Sequence, residues 1–429
     1  MKKSEANRLN ELDRRRFMSY AAKCYLGVNL FPMLGSSVGN ATEISGAKAK
    51  RVIYLYMGGG MSHVDTFDPK PKKKDIMGET EAIATSADGI QIGHYLPKTA
   101  KIMDKVCVVN SMTSNQGAHE QGSYIMRTSY APRGTISHPT LGAWTLKLAG
   151  RLNPDIPGYV AINGGGGGGG FFGAKYGAAP IGNANEGLKD SRKPGAVGEE
   201  DFERRLSLAD RLNKQFHERY DNSEVKGYEE LYSEAVRLMS SEDLKAFNIG
   251  GESDAARKHY GNSRFAQGCM LARRLVEHNV RFVEVYLGGW DTHYDNFAAV
   301  EARGAEFDAG YSALISDLAA RDMLKDTLVV VATEFGRSPE IKTEHNNGRD
   351  HHPSAFTCLL AGGGTKGGFK YGETDASASK IKENPVPVQD FNATIAMALG
   401  VPHDLVVMSP TKRPFRMADK GSPVKEVFA

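Results

Sequence analysis

Four short stretches of this chain carry the residue types that hold metal ions and move protons. They are GGGMSHVDTFDPKP, with His63, Asp65 and Asp68; GGWDTHYDN, with Asp291, His293, Asp295 and Asn296; the run Glu334-Phe335-Gly336-Arg337; and NNGRDHHP, with Arg349, Asp350, His351 and His352. Imidazoles and carboxylates together form the donor set of zinc, manganese or a related divalent ion. Two such ions about 4 Å apart would clamp both the attacking and the leaving oxygen of a displacement at phosphorus. Each stretch alone is a weak signal, because D-x-H is common on surfaces and a single histidine is more often a hydrogen-bonded structural residue than a ligand. The competing account has Asp291 capping a loop and His351 and His352 bonding to backbone. What favours a metal site is that all four stretches stand at comparable points of the secondary structure.

Three of these stretches follow the ends of apolar runs, and NNGRDHHP lies in a loop before the run AFTCLLA. RVIYLYMGGG begins near residue 51, and VCVVNSM spans Val106 to Met112 before a helical pattern from about His119 to Tyr130. RFVEVYLGG, TLVVVATEFG and AFTCLLAGGG follow, with helical stretches at 263–280 and 299–321 preceding the first two. Runs rich in Val, Ile and Tyr that close on glycine read as buried strands. Their alternation with helices predicts a doubly wound α/β fold, a mostly parallel sheet with helices on both faces. In such sheets ligands bind outside the carboxyl ends of the strands, where these clusters fall. A different texture occupies about 164–260, which opens with seven consecutive glycines and continues into charged helical sequence, and it reads as an insertion over the core. The glycine run lacks the G-K-[ST] ending of a phosphate-binding loop, so it is expected to be a surface loop or a mobile wall of the site.

Composition narrows the partners. A net charge of +3 over 429 residues, without a basic stripe interleaved with aromatics, excludes an electrostatic footprint for nucleic acid. The mean hydropathy of −0.41 excludes several membrane spans, and no stable span is expected. Cys24, Cys107, Cys269 and Cys358 have no C-x-x-C spacing. Near the N-terminus, Arg14 and Arg15 precede Arg16, Phe17 and Met18, followed by a short apolar stretch and small residues. This pattern resembles a twin-arginine export signal over residues 1–41, ahead of a domain at 42–429, and predicts a periplasmic or secreted protein that engages the twin-arginine machinery. Lys23 within the apolar region favours the competing account, a basic tail, and also argues against lipidation at Cys24.

The stretches GGGMSHVDTFDPKP, NSMTSNQGAHEQ, GGWDTHYDN, TEFGRSPEI and GRDHHPSAFTCLLAGGGTKGG, in this order, resemble the exported bacterial family of domain of unknown function 1501. The resemblance covers nearly the whole chain after the signal. That family is grouped with the alkaline phosphatase and arylsulfatase superfamily, which implies an alkaline phosphatase-like sheet and a metal site with one or two divalent ions, zinc, manganese or calcium. Carried over residue by residue, it implies Asp65 as the first-strand carboxylate, with His63 as a further ligand. It implies Asp291 and His293 as a compressed D-x-x-x-H motif, Glu334 where the superfamily has an Asp-His pair, and His352, or His351 if the loop shifts by one, as the late imidazole.

The superfamily nucleophile stands where the second core strand gives way to a helix and gains from the helix dipole. Ser111, Thr113 and Ser114 carry hydroxyls there, and His119 best matches the family pattern as ligand, general acid or nucleophile. None of the cysteines lies in C-x-P-x-R, so sulfatase chemistry would proceed without formylglycine. Arg337 and Arg349 are candidate clamps for a tetrahedral anion. The implied function is metal-dependent hydrolysis of a phosphate or sulfate ester, such as a sulfated or phosphorylated glycan, outside the cytoplasm. The alternatives are headgroup transfer and a non-catalytic binding or carbohydrate-interaction protein on the same fold. Replacing Arg14 and Arg15 with Lys is expected to leave the protein in the cytoplasm; unchanged export of the double variant, followed by cell fractionation, would reject the twin-arginine reading.

Overall fold

The computed structural model describes residues 46–188, 191, 197–219, 237–239 and 241–429, so the twin-arginine segment and Cys24 lie outside the described residues. The main unit combines Val38–Gly187 with Ala246–Ala429, and Leu188–Lys245 belongs to a second. In the main unit the framework elements run in the order β1 Arg51–Gly58, β2 Val106–Thr113, α1 His119–Thr128, α2 Leu141–Ala149, β3 Tyr159–Ile162 and β4 Ala179–Ile181. There follow α3 Arg264–Glu277, β5 Phe282–Gly288, α4 Asn296–Ala320, β6 Thr327–Ala332, β7 Gly336–Arg337, β8 His351–His352, β9 Phe356–Ala361, β10 Phe369–Tyr371, β11 Val386–Pro387 and α5 Val388–Ala398.

Among the described residues one nine-stranded sheet is ordered β10-β2-β9-β6-β1-β5-β3-β4, with β11 also pairing β2. Every pairing in it is parallel except the two made by β9, which runs against both β2 and β6. This is the doubly wound α/β class that the alternation of elements predicts. Central strands are apolar along their whole length because both faces are covered: Val52 through Met57 are all buried. Helix α3 packs on β5 and against α4, and its start is fixed by Ser263, whose Oγ accepts from the Ala266 amide at 3.1 Å.

The reversed strand has a consequence for function. Because β9 is antiparallel, its beginning lies at the edge where β1, β2, β5 and β6 end, so the residues just before it join those just after the other four. The five strands therefore deliver Gly58, Thr113, Gly288, Ala332 and Phe356 to one edge. Glycine permits the closest approach there: Gly59 has φ +115°, and a Cβ on it would stand 2.5 Å from the Asp291 amide nitrogen.

The helices expected at 119–130, 263–280 and 299–321 are present as His119–Thr128, Arg264–Glu277 and Asn296–Ala320. Within the segment expected as an insertion, 164–260, Ala179–Ile181 is a strand of the main sheet. The second unit contains the helix Glu199–Arg219, where Phe202 packs with Val197, Leu206, Ala209 and Met239. Among the described residues no helix is long and apolar enough to cross a membrane.

Candidate metal centre

At the strand-end edge, three imidazoles meet one carboxylate. His119 opens α1, Asp291 and His293 follow β5, and His351 lies in β8. One donor atom from each of His119, Asp291 and His351 falls within 4.8 Å of the others. His119 Nε2 stands 3.3 Å from Asp291 Oδ2, and His293 Nε2 and His351 Nε2 stand 3.3 and 3.6 Å from Asp291 Oδ1. The two nitrogens His293 Nε2 and His351 Nε2 are 2.9 Å apart.

The other ring nitrogens decide what these Nε2 atoms present. His119 Nδ1 bonds Glu334 Oε1 at 3.0 Å, His293 Nδ1 bonds Asp350 Oδ1 at 3.2 Å, and His351 Nδ1 bonds the Gly117 carbonyl at 2.7 Å. Carboxylates and carbonyls only accept, so each Nδ1 carries the hydrogen and each neutral ring offers an Nε2 lone pair. His119 Nε2 is buried with no hydrogen-bond partner among the described residues. Two lone pairs facing at 2.9 Å and a third orphaned beside a carboxylate repel unless a cation or a proton sits among them. Donors on a tetrahedral ion with bonds of about 2.0–2.1 Å lie roughly 3.3 Å apart, close to the 3.3–3.6 Å that separates the imidazole nitrogens from the Asp291 oxygens. The residues therefore fit a divalent ion with nitrogen and oxygen ligands.

Charge is arranged to keep this set ready. Burial opposes ionisation of Asp291, but the bond from Arg337 and the nearby positive charge overcome it and hold the carboxyl below its usual range. Burial pushes the His351 imidazole down, which favours the neutral ring. The bond to Glu334 lifts His119 above its usual range against its partial burial, so the ring is a stronger base for a cation as for a proton. Side-chain exposures of 36% for His119, 47% for Asp291 and 36% for His293 leave the centre open to a substrate.

The match to the family model described as "Protein of unknown function (DUF1501)" runs over residues 49–428. The chain belongs to this family. No curated protein matches it. Among solved structures, the DUF1501 chain is similar to the lipoteichoic acid synthase LtaP from Listeria monocytogenes, at 10% identity and TM-score 0.37, covering 90% of this chain and 79% of that one. It is also similar to the PsFucS1 sulfatase from a Pseudoalteromonas species, at 12% and 0.33 over 87% and 73%. A third is the alkaline phosphatase of the Antarctic bacterium TAB5, at 9% and 0.32 over 75% and 94%.

The remaining candidates from the sequence stand elsewhere. Asp65 is fully buried against Arg349, with Arg349 Nε 2.8 Å from Oδ2 and Nη2 3.0 Å from Oδ1, and it also accepts from Ser62, Thr80 and Asn296. His63 Nε2 bonds the Ala378 carbonyl, and burial pushes its imidazole down to about 3. It stacks on His352, whose Nε2 bonds the Ser379 carbonyl. His351 rather than His352 faces the cluster because β8 pairs with β7 in register His351↔Arg337 and His352↔Gly336, and successive strand residues point to opposite sides. Glu334 uses both oxygens to bind His119, Gly59 and Tyr56, so it supports a ring instead of presenting a free ligand atom.

Arg337 and Arg349 are not free anion clamps. Arg337 is buried and donates to Asp291 and to the carbonyls of Arg349, Gly59 and Gly60, while Arg349 donates to the carbonyls of Ser338, Pro339 and Ile76. Ser111 is buried under Gly372, where a Cβ would lie 1.9 Å from its Oγ, and neither it nor Thr113 bonds to the imidazoles. Sequence reasoning did not identify Tyr56 or the Gly117 carbonyl, and it named Asp350 within its cluster without the role of supporting His293. Asp350 stands in NNGRDHHP and had a signal there, whereas a tyrosine inside a strand and a loop carbonyl have none.

His351→Ala is expected to lose most of the bound zinc after metal loading and desalting, while His352→Ala retains it; the reverse pattern in elemental analysis would refute this assignment. Arg349→Met leaves Asp65 buried without its cation and should cost about 3–5 kcal/mol in urea denaturation of the metal-free protein. A loss below about 1 kcal/mol would contradict the tight pairing.

Proposed function

We propose that this DUF1501 chain is a metal-dependent hydrolase of phosphate or sulfate esters that acts outside the cytoplasm. The observation that carries the proposal is the convergence of His119, His351 and Asp291, with His293 beside them, on one solvent-open point at the strand-end edge. A zinc or manganese ion held by these residues would supply positive charge to an ester oxygen and make a bound water a better nucleophile.

The chain's own residues favour an anionic substrate. The imidazoles are uncharged when neutral, and the single carboxylate, Asp291, is countered by Arg337. The positive charge of an ion bound here is therefore not cancelled by its protein ligands, which suits a phosphate or sulfate group. Lys342, paired with Asp350 behind His293, removes a further negative charge from the vicinity. The His119 ring, held at its Nδ1 by Glu334, stands at the start of α1 where helix amides add positive potential.

One observation favours a second reading, a non-catalytic binding or carbohydrate-interaction protein on the same fold. The guanidinium groups best suited to clamp a tetrahedral anion, Arg337 and Arg349, are buried and engaged, and the candidate hydroxyls Ser111 and Thr113 make no bond to the cluster.

The two readings separate in one assay. Cleavage of aryl phosphates and aryl sulfates should vanish on chelation and return with a divalent ion, and His293→Ala should lower both metal content and rate. Wild-type protein that retains the ion but turns over no ester across a broad panel would establish the binding-protein reading instead.

A further inference from the structure

Strand β1 buries two tyrosines on the same side, Tyr54 and Tyr56, whose rings are 6.3 Å apart and nearly parallel. Their hydroxyls differ in one respect. Tyr54 Oη is buried with no hydrogen-bond partner among the described residues, whereas Tyr56 Oη donates to Glu334 Oε2 at 3.0 Å. Glu334 is 2% exposed, and its other oxygen takes the Gly59 amide at 2.7 Å and His119 Nδ1 at 3.0 Å.

Behind the Tyr56 ring the Arg127 guanidinium lies 3.6 Å from the ring centroid. Arg127 is held by Glu284, with Nε and Nη2 at 3.0 and 2.8 Å from Oε1. Glu284 in turn accepts from Tyr159 Oη and from the Gly166 amide within the glycine run. A cation over the face of a phenol is attracted to the ring and draws electron density from its O–H, which strengthens it as a donor. Arg127 and His119 both belong to α1, so this helix is anchored near its two ends to adjoining parts of one buried polar chain.

We propose that Tyr56 is a positioning residue for His119, acting through Glu334, with Arg127 and Glu284 fixing the phenol that does so. The inference rests on the reading of the imidazole cluster as a metal centre. Tyr56 secures the Glu334 oxygen that His119 does not use. The carboxylate is thereby kept from rotating, the hydrogen stays on His119 Nδ1, and Nε2 stays directed at the ion. Partners of this kind around a metal-bound histidine typically change affinity by about 10–100-fold. Tyr54, with an unbonded hydroxyl on the same strand, provides the matched control.

The test compares wild type, Tyr54→Phe, Tyr56→Phe and His351→Ala as full folded proteins. Zinc affinity is measured by competition with a chromophoric chelator, and the His119 tautomer of the metal-free protein by ¹⁵N resonance. Tyr56→Phe should weaken zinc binding about 10–100-fold and shift His119 toward the Nε2–H form, while Tyr54→Phe changes neither. Wild-type affinity in Tyr56→Phe, even with a lowered Tm, or equal losses in both Phe variants, would overturn the proposal and leave the hydroxyl a purely structural role. If wild type shows no zinc binding that depends on His351, the metal-centre reading fails. The tautomer measurement then still decides whether Tyr56 positions His119, an unchanged Nδ1–H form overturning it.

Discussion

The buried pair of Asp65 and Arg349 is the contact on which the site's geometry depends. Arg349 stands two residues before His351, and its backbone amide bonds the Thr292 carbonyl between Asp291 and His293. Asp65 accepts from Asn296 at the start of α4, and Thr292 Oγ1 donates to the same Asn296. One ion pair therefore joins the loop after β1, the loop after β5 and the loop before β9. Two fully desolvated charges are costly unless paired and surrounded by hydrogen bonds. Here the carboxylate has Ser62, Thr80 and Asn296 as further donors, and the guanidinium has backbone carbonyls as further acceptors. The dense bonding explains why residues with the chemistry of a ligand and an anion clamp serve instead to hold others in place.

A second layer of charge follows the same logic closer to the imidazoles. Arg337 sits behind Asp291, Glu334 behind His119, Asp350 behind His293 and the Gly117 carbonyl behind His351. Each support is a pure donor or a pure acceptor, so each fixes the orientation or tautomer of the residue in front of it. Approach of the loops is bought with glycine at two crossings: Gly59 admits the Asp291 backbone, and a Cβ on Gly348 would lie 1.7 Å from the His293 carbonyl oxygen.

Much of this organisation was legible in the sequence. Apolar runs closing on polar clusters gave β1, β2, β5, β6 and β9, and the rule that ligands gather at strand ends led to Asp291, His293 and the His351-His352 pair. The antiparallel sense of β9 was not legible, yet it is what admits a stretch preceding a strand into a site made of stretches following strands. Nor could the sequence choose His351 over His352, since a two-residue ladder with Gly336 and Arg337 makes that choice. Asp65, Arg337 and Arg349 have side chains suited to binding, and only their burial and partners reveal a supporting role. Tyr56 and Glu284 looked like parts of strands because the polar atoms they contribute meet partners distant in the chain.

The most direct measurement of the central claim is an anomalous-difference map at the zinc edge from crystals of the zinc-loaded protein. The account predicts one strong peak about 2.0–2.1 Å from Nε2 of His119, His293 and His351, with Asp291 completing the shell. A peak between His63 and His352, or none near the His119–Asp291–His351 cluster at full zinc loading, would contradict it.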